Sequence, residues 1–538
     1  MENKNIGEKI QIFCSKYLIL VVAILTTIIS IFSIVVTAYF ENATYYFTSE
    51  KTAYRFDNIL IIIGLFTIAL AAIWGCNKLT SKIKSKWIFL IILIITAVAQ
   101  IIWVCSIRFI PYADQANVLS CAKQLLNGQY EEFSQPGSYF GIYPFQIGII
   151  YYIALILKIF STEDFLVLQI FNVIFSLLNL FLMFKITKIL FKEEKVQKIL
   201  NFLLIGFSIY FMFFNVHVYG NINGLTFSLI ALYYTLKYLE EKKKRYLVVI
   251  AITMTLSIAL KSNYHIFLCG IVITLALDFL KDKKIRTIVG IIGIIIVYML
   301  FQFILKFSLE KIINAEIPEG IPMIGYIYMG MAEPKTMSSG WYTTDSVDTF
   351  QKNNFDPEKT KEEDIEKIKE RASYLIQKPK ELFYYYADKL ASTWLNPTYQ
   401  AIWCAYPGAT MAQDQEYAQE IETKTIVKSM LSGTLYKIEE QILNIFQIII
   451  FIFAGFAMFK IFKKGKITHI LLPMIFLGGF IFHMFWETKA IYVLQYYYLL
   501  VPYAAFGLCE FYKKLSSKIS KRKELPKLEE IKNIDDKI

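Results

Sequence analysis

Long uninterrupted apolar runs separated by short lysine-rich connections dominate the chain. The runs fall at about 13–39, 58–76, 87–110, 142–160, 165–184, 199–217, 222–239, 246–261, 264–280, 287–307, 441–462, 467–485 and 490–511. Most reach roughly the 17 to 25 residues that a helix needs to cross a bilayer. A backbone in lipid must satisfy its own hydrogen bonds, so the pattern predicts an all-α polytopic membrane protein.

Lysine and arginine concentrate in the connections Lys78–Lys86, Lys185–Lys198, Lys237–Arg245, Lys281–Arg286 and Lys460–Lys466, and after Lys513. The positive-inside rule assigns such loops to the cytoplasm. If every run crossed, the Lys185–Lys198 loop and all later basic loops would face outward. Dropping one run restores the parity. Residues 142–160 are the best candidate, because Tyr143, Pro144, Gln146, Tyr151 and Tyr152 give them interfacial character and Pro144 suits a first helical turn.

The expected organisation is therefore about twelve spans with both termini cytoplasmic. Residues 1–110 hold three transmembrane helices, 111–164 an outer loop with juxtamembrane helices, and 165–307 further spans. Residues 308–440 form an extracytoplasmic region, 441–511 the last spans and 512–538 a basic cytoplasmic tail. Behind Asp114, Val118, Leu119, Ala122, Leu125 and Leu126 recur at helical spacing until Asn127–Gly128, which describes a short amphipathic surface helix. In the larger outer region, residues 357–373 read as an exposed helix and Phe383–Trp394 as its more apolar partner. The first run carries no small-residue cleavage site and is read as a retained span.

Composition agrees: 56% of the 538 residues are hydrophobic, against about 45–50% in soluble domains. The net charge of +12 follows from the basic loops. No basic face with stacking aromatics lies outside the spans, which argues against nucleic acid as a partner. Seven cysteines without a CxxC pair and four scattered histidines suggest neither a disulfide framework nor a metal site. No cofactor is expected. Scarce Ala and Gly with abundant Ile, Lys and Asn suggest a low-GC bacterial genome, and hence a bacterial cytoplasmic membrane.

The unusual polar residues gather in the outer loops. Asp114 stands just outside the third span, where it either caps the helix that follows or accepts a proton during chemistry. Lys261, Lys489 and Arg108 run against the positive-inside bias, which suggests an anionic partner or snorkelling to lipid phosphates. Asn215, His217, Tyr219 and Asn221 share one tight turn, and Glu487 and Tyr492 flank Lys489. Trp341, Tyr342, Trp394 and Trp403 are either interfacial anchors, the preferred reading, or platforms for sugar rings.

An ordered set of motifs over roughly residues 90–505 resembles the GT-C class of integral-membrane glycosyltransferases, in the branch of protein O-mannosyltransferases and lipid A aminoarabinose transferases. The motifs are Ala113-Asp114-Gln115, then Gly141-Ile-Tyr-Pro-Phe-Gln-Ile-Gly148, the Tyr219-Gly220-Asn221 turn, and Trp486-Glu-Thr-Lys-Ala-Ile-Tyr492 followed by Pro502. Two departures are Asn221, where many relatives carry an acid, and Tyr143-Pro-Phe in place of a double proline. Two spans also precede the one at which relatives often begin.

The resemblance implies inverting transfer from a polyprenyl-phosphate sugar to a cell-envelope glycan, lipid or protein. Asp114 would act on the acceptor, and Lys261, Lys489 or Arg108 would hold the donor phosphate. Tyr143, Gln146, His217, Tyr219, Asn221, Glu487 and Tyr492 would line the groove. A transporter or flippase of lipid-linked sugars should place ionisable residues at mid-membrane, where this chain has almost none, and no internal repeat stands out. A polysaccharide polymerase or an assembly scaffold remains a further alternative.

Overall fold

The first apolar run folds as helix Ile6–Val35, opened by Asn5, whose side chain accepts from the Glu8 amide. The computed structural model describes residues 5–40, 52–107, 109–334, 337–410 and 425–535. Among these, nine helices are long and apolar enough to cross a membrane: Ile6–Val35, Ile59–Leu79, Ser85–Ile107, Leu166–Leu190, Glu194–Phe214, Ser262–Asp282, Ile285–Ile313, Thr434–Lys464 and Ile467–Phe485. Two bent pairs, Glu131–Ile142 with Pro144–Phe160 and Ala490–Tyr498 with Val501–Lys518, raise the number to eleven. The chain is an all-α polytopic membrane protein.

The expected count of about twelve included helices Asn221–Glu241 and Lys244–Leu260, which fall outside those nine. The second is only 17 residues long. The first is diluted by polar residues that face other helices rather than lipid. Thr226 donates to Asn179 Oδ1 at 2.7 Å, Asn179 donates to the Ile222 carbonyl at 3.1 Å, and the Ser228 and Ser257 hydroxyls lie 2.7 Å apart. Such bonds hold interior helices together where lipid offers no hydrophobic driving force.

One element departs from the all-helical expectation. Beyond Val35 the first run becomes a strand, Val36–Phe40, which pairs antiparallel with Thr52–Phe56. The β-branched and aromatic residues of Val36–Phe40 suit a ladder as well as a helix end. The ribbon is tied into the rest of the protein. Ala38 N donates to the Leu395 carbonyl at 3.0 Å, Thr52 N to Ser338 Oγ at 3.0 Å, and the Tyr54 hydroxyl to Asp388.

Polar contacts gather the basic connections at one end of the bundle. Lys198 donates to the carbonyls of Thr80 and Ser81, Lys513 pairs with Glu193, and Lys460 pairs with Glu510. Gln11 donates to the Gly465 carbonyl, Asn5 to the Lys281 carbonyl, and Lys242 pairs with Asp278 and Asp282. The turns at 215–221, 261–264 and 486–489 lie at the other end.

Helix Ile147–Phe160 meets its predecessor at 98°. Its 14 residues reach about 21 Å, short of the roughly 30 Å hydrocarbon layer. It packs against helices Ala113–Leu126 and Lys244–Leu260, and Phe160 meets Phe171 in the second turn of Leu166–Leu190 at 5.7 Å.

The region between the span ending at Ile313 and the span beginning at Thr434 is built from helices Ile324–Met329, Asp345–Lys352, Pro357–Gln377, Pro379–Trp394 and Ala401–Thr410. Asp356 caps the third by accepting from Glu358 N and Lys359 N, with Pro357 in the first turn. Trp341 and Trp394, expected as membrane anchors, are instead core residues. Trp341 donates from Nε1 to Ser392 Oγ and packs on Phe40, while Trp394 packs on Phe476 and Phe480. An indole whose N–H finds an interior partner loses its reason to sit at a wet interface.

Candidate active site

The site begins with a glycine. Between helices Glu194–Phe214 and Asn221–Glu241, Gly220 adopts φ +79°, and a Cβ there would stand 2.0 Å from the Leu260 carbonyl oxygen. Only glycine lets this turn close on Leu260 and Lys261. The closure brings Lys261 Nζ to 3.7 Å from the centre of the Tyr219 ring and 5.8 Å from that of Tyr492, a cation held on two aromatic faces. Asn172 steadies the turn by donating to the carbonyls of Asn215 and His217, and Gln115 accepts from Val218 N. Gly220→Ala is therefore expected to destabilise the protein by about 1–3 kcal/mol, read as a lower thermal midpoint; an unchanged midpoint would show that the turn has slack.

Gln115 belongs to helix Ala113–Leu126, which carries Asp114 in its first turn. Asp114 does not cap this helix: Tyr112 occupies the cap position and no side chain closes it. The carboxylate is exposed and faces a set of tyrosines. Tyr139, Tyr143, Tyr219, Tyr326 and Tyr342 all have phenols held above the ordinary tyrosine range, first by burial and further by the negative charge of Asp114. The Tyr139 hydroxyl lies 3.4 Å from that of Tyr219, to which the Gln146 amide also donates. The hydroxyls of Tyr143 and Tyr342 lie 3.3 Å apart.

The turn after helix Leu471–Phe485 supplies the third wall. Glu487 is buried, its amide donates to the Tyr326 carbonyl at 2.9 Å, and its Oε1 accepts from the Tyr492 hydroxyl at 3.3 Å. Burial raises the Glu487 pKa, opposed by the charge of Lys489. Lys489 Nζ stands 5.7 Å from the Trp341 ring centre. Burial pushes the Lys261 pKa down to about 8, with Asp114 and Glu487 pulling it upward. His217 is driven to about 3 by burial and by Lys261 and Lys489, so its imidazole is neutral at neutral pH. Two carboxylates and two ammonium groups thus share one polar enclosure at the end of the bundle away from the basic loops.

Of the residues expected from sequence, the fold brings together Asp114, Lys261, Lys489, Tyr143, Gln146, His217, Tyr219, Glu487 and Tyr492. Asn221 does not join them. Its backbone carbonyl accepts from Tyr264, and its side chain lines a small, mostly apolar cavity with Phe207, Phe214 and Gln495. The first residue of a helix that dives into the bundle turns inward, which corrects its assignment to the groove. Arg108 lies outside the described residues. Tyr139 and Tyr326 were not foreseen, although the aromatic density of Tyr139-Phe-Gly-Ile-Tyr143 was a usable signal. Among the described residues, no three His, Cys, Asp or Glu side chains converge to hold a metal ion.

A bundle of membrane-crossing helices with acids and lysines gathered at one end defines an integral-membrane protein with a polar site beside the bilayer. Residues 146–305, which include Gln146, the 215–221 turn and Lys261, match the family model described as dolichyl-phosphate-mannose-protein mannosyltransferase. That partial match supports a GT-C class membrane glycosyltransferase with a lipid-linked sugar donor. No curated protein matches the chain.

Proposed function

We propose that the protein transfers a sugar from a polyprenyl phosphate to a hydroxyl or amine of a cell-envelope acceptor, with inversion, on the outer face of a bacterial cytoplasmic membrane. The observation that carries this reading is the convergence of Asp114 with Lys261 and Lys489 around Tyr219. In the proposed step the acceptor oxygen or nitrogen attacks the anomeric carbon as its proton passes to Asp114. The bond from that carbon to the phosphate oxygen breaks, and the electron pair leaves with the polyprenyl phosphate. Lys261 and Lys489 stabilise the charge that gathers on the phosphate.

A single base and a single displacement give inversion. Glu487, engaged by Tyr492 and held close to Lys489, orients the lysine or a sugar hydroxyl rather than acting as a nucleophile. The outward assignment follows from the basic connections, which gather at the opposite end of the bundle. The test is to supply purified protein in proteoliposomes with polyprenyl-phosphate hexoses and pentoses plus envelope extract. Release of polyprenyl phosphate with a product of opposite anomeric configuration supports the reading; no release with any donor overturns it.

The Lys261 ammonium adds a pH signature. With its pKa lowered to about 8, it is charged below that pH and loses its charge as the pH rises through it. The donor KM is expected to rise above about pH 8 in the wild type and to stay flat there in Lys261→Gln. A wild-type KM with no such inflection would take Lys261 out of the phosphate site.

A further inference from the structure

Among the described residues, the proposed chemistry leaves one fully buried cation without a task. Lys389, on helix Pro379–Trp394, has 0% of its surface exposed. Burying an ammonium is costly unless its hydrogens find acceptors. Here they find two backbone carbonyls from separate segments, those of Gly330 and, at 2.9 Å, of Trp486. A methionine would fill the same volume without that cost, so packing alone does not account for the residue.

We infer that Lys389 is a positioning residue that fixes the turn bearing Glu487 and Lys489 against the two loops facing it. Three segments meet at its side chain. The Gly330 carbonyl, at the end of helix Ile324–Met329, accepts from Lys389 and also from the Tyr385 hydroxyl at 3.0 Å. Gly340, with φ +72°, lies on the lysine stem so closely that a Cβ would stand 2.5 Å from its Cδ and Cε. The Trp486 carbonyl begins the turn itself. From there Glu487 N donates to the Tyr326 carbonyl and Thr488 N to the Gly340 carbonyl at 2.8 Å, which joins the three segments to one another.

The same helix face continues the clamp. Ser392 accepts from Trp341 Nε1 at 3.1 Å, and the Thr393 and Thr488 hydroxyls lie 3.3 Å apart. Residues 385, 389, 392 and 393 share one face by helical spacing. Burial pushes the Lys389 pKa down to about 7, opposed by the Glu487 carboxylate. The ammonium touches no part of the enclosure where donor or acceptor would sit, and it acts through the backbone of residues that do.

The consequence for catalysis rests on the proposed transfer; the placement of the turn does not, and the two are read separately. Hydrogen exchange of the intact protein in detergent is compared among wild type, Lys389→Met and Lys389→Gln. The expected result is exchange at least about tenfold faster for the amides of Glu487 and Thr488 in Lys389→Met, with helix Thr434–Lys464 unchanged and Lys389→Gln intermediate. Wild-type exchange at these amides in both variants overturns the inference. So does equal loss of protection across the spans, or failure of both variants to fold, since either marks a general core residue. In the transfer assay, Lys389→Met is expected to raise the donor KM about tenfold with a smaller change in kcat, whereas a loss of folded protein alone leaves KM untouched. A wild type that transfers no lipid-linked sugar sinks the proposed function and leaves the exchange result standing.

Discussion

Asp114→Asn is expected to reduce transfer by about 10²- to 10⁴-fold, the usual contribution of a positioned general base, while leaving donor affinity nearly unchanged. The amide keeps the shape of the carboxylate and the faces it turns to Tyr139 and Tyr219, but it cannot take the acceptor's proton. Folding should barely register the change. Asp114 is exposed and caps nothing, so the substitution belongs with surface replacements that stay within about 0.5 kcal/mol. Steady-state kcat, donor KM and thermal midpoint, measured on the same preparations, check all three statements. Residual transfer within a factor of two or three of wild type would remove Asp114 from the chemistry.

Lys261→Met carries the second large effect. The thioether chain retains most of the packing on the Tyr219 ring and loses the charge, so the variant isolates electrostatics from shape. A charge that stabilises a leaving group in a water-poor enclosure contributes about 10²- to 10³-fold to kcat. The donor KM should rise as well, because the phosphate is already anionic before the bond breaks. Burial is the main reason the His217 pKa lies near 3, and removing the ammonium relieves the ring of one of the two cations that lower it further. In Lys261→Met the imidazole is therefore expected to titrate at higher pH, and nuclear magnetic resonance of a labelled histidine would follow it. Equal kcat in Lys261→Met and wild type, at saturating donor, would assign the leaving-group charge to Lys489 alone.

Most of this arrangement was legible in the chain because membranes impose one-dimensional rules. Span length located most of the helices and the lysines grouped the connections, which put the turns that carry Asp114, Tyr219, Lys261 and Glu487 at one end together. Side-chain direction was not legible. Asn221 and Tyr219 are two residues apart on either side of Gly220, yet Asn221 lines a small cavity among apolar helix residues and Tyr219 lies beneath the Lys261 ammonium.

The tryptophans failed for a related reason. Sequence presents Trp341 and Trp394 as amphipathic residues near a membrane, whereas burial depends on partners such as Ser392 and Phe476 that no local pattern connects to them. The ribbon Val36–Phe40 with Thr52–Phe56 was hidden because it continues an apolar run. It gives the first two spans a visible structural link, since Tyr54 binds Asp388 and Asp388 in turn accepts from Ser339 N at 2.7 Å, next to the loop that bears Trp341 and Tyr342.

The central claim is that the enclosure around Asp114, Tyr219, Lys261 and Glu487 receives the phosphate and sugar of the lipid-linked donor. Photo-crosslinking with a polyprenyl-phosphate sugar bearing a diazirine next to the phosphate, followed by peptide mapping, tests it without knowledge of the acceptor. The expected labels fall on the segments 215–221, 261–265 and 487–492, and excess unmodified polyprenyl phosphate competes them away. Labelling concentrated at the basic end of the bundle, or labelling that Lys261→Met leaves undiminished, would contradict the assignment.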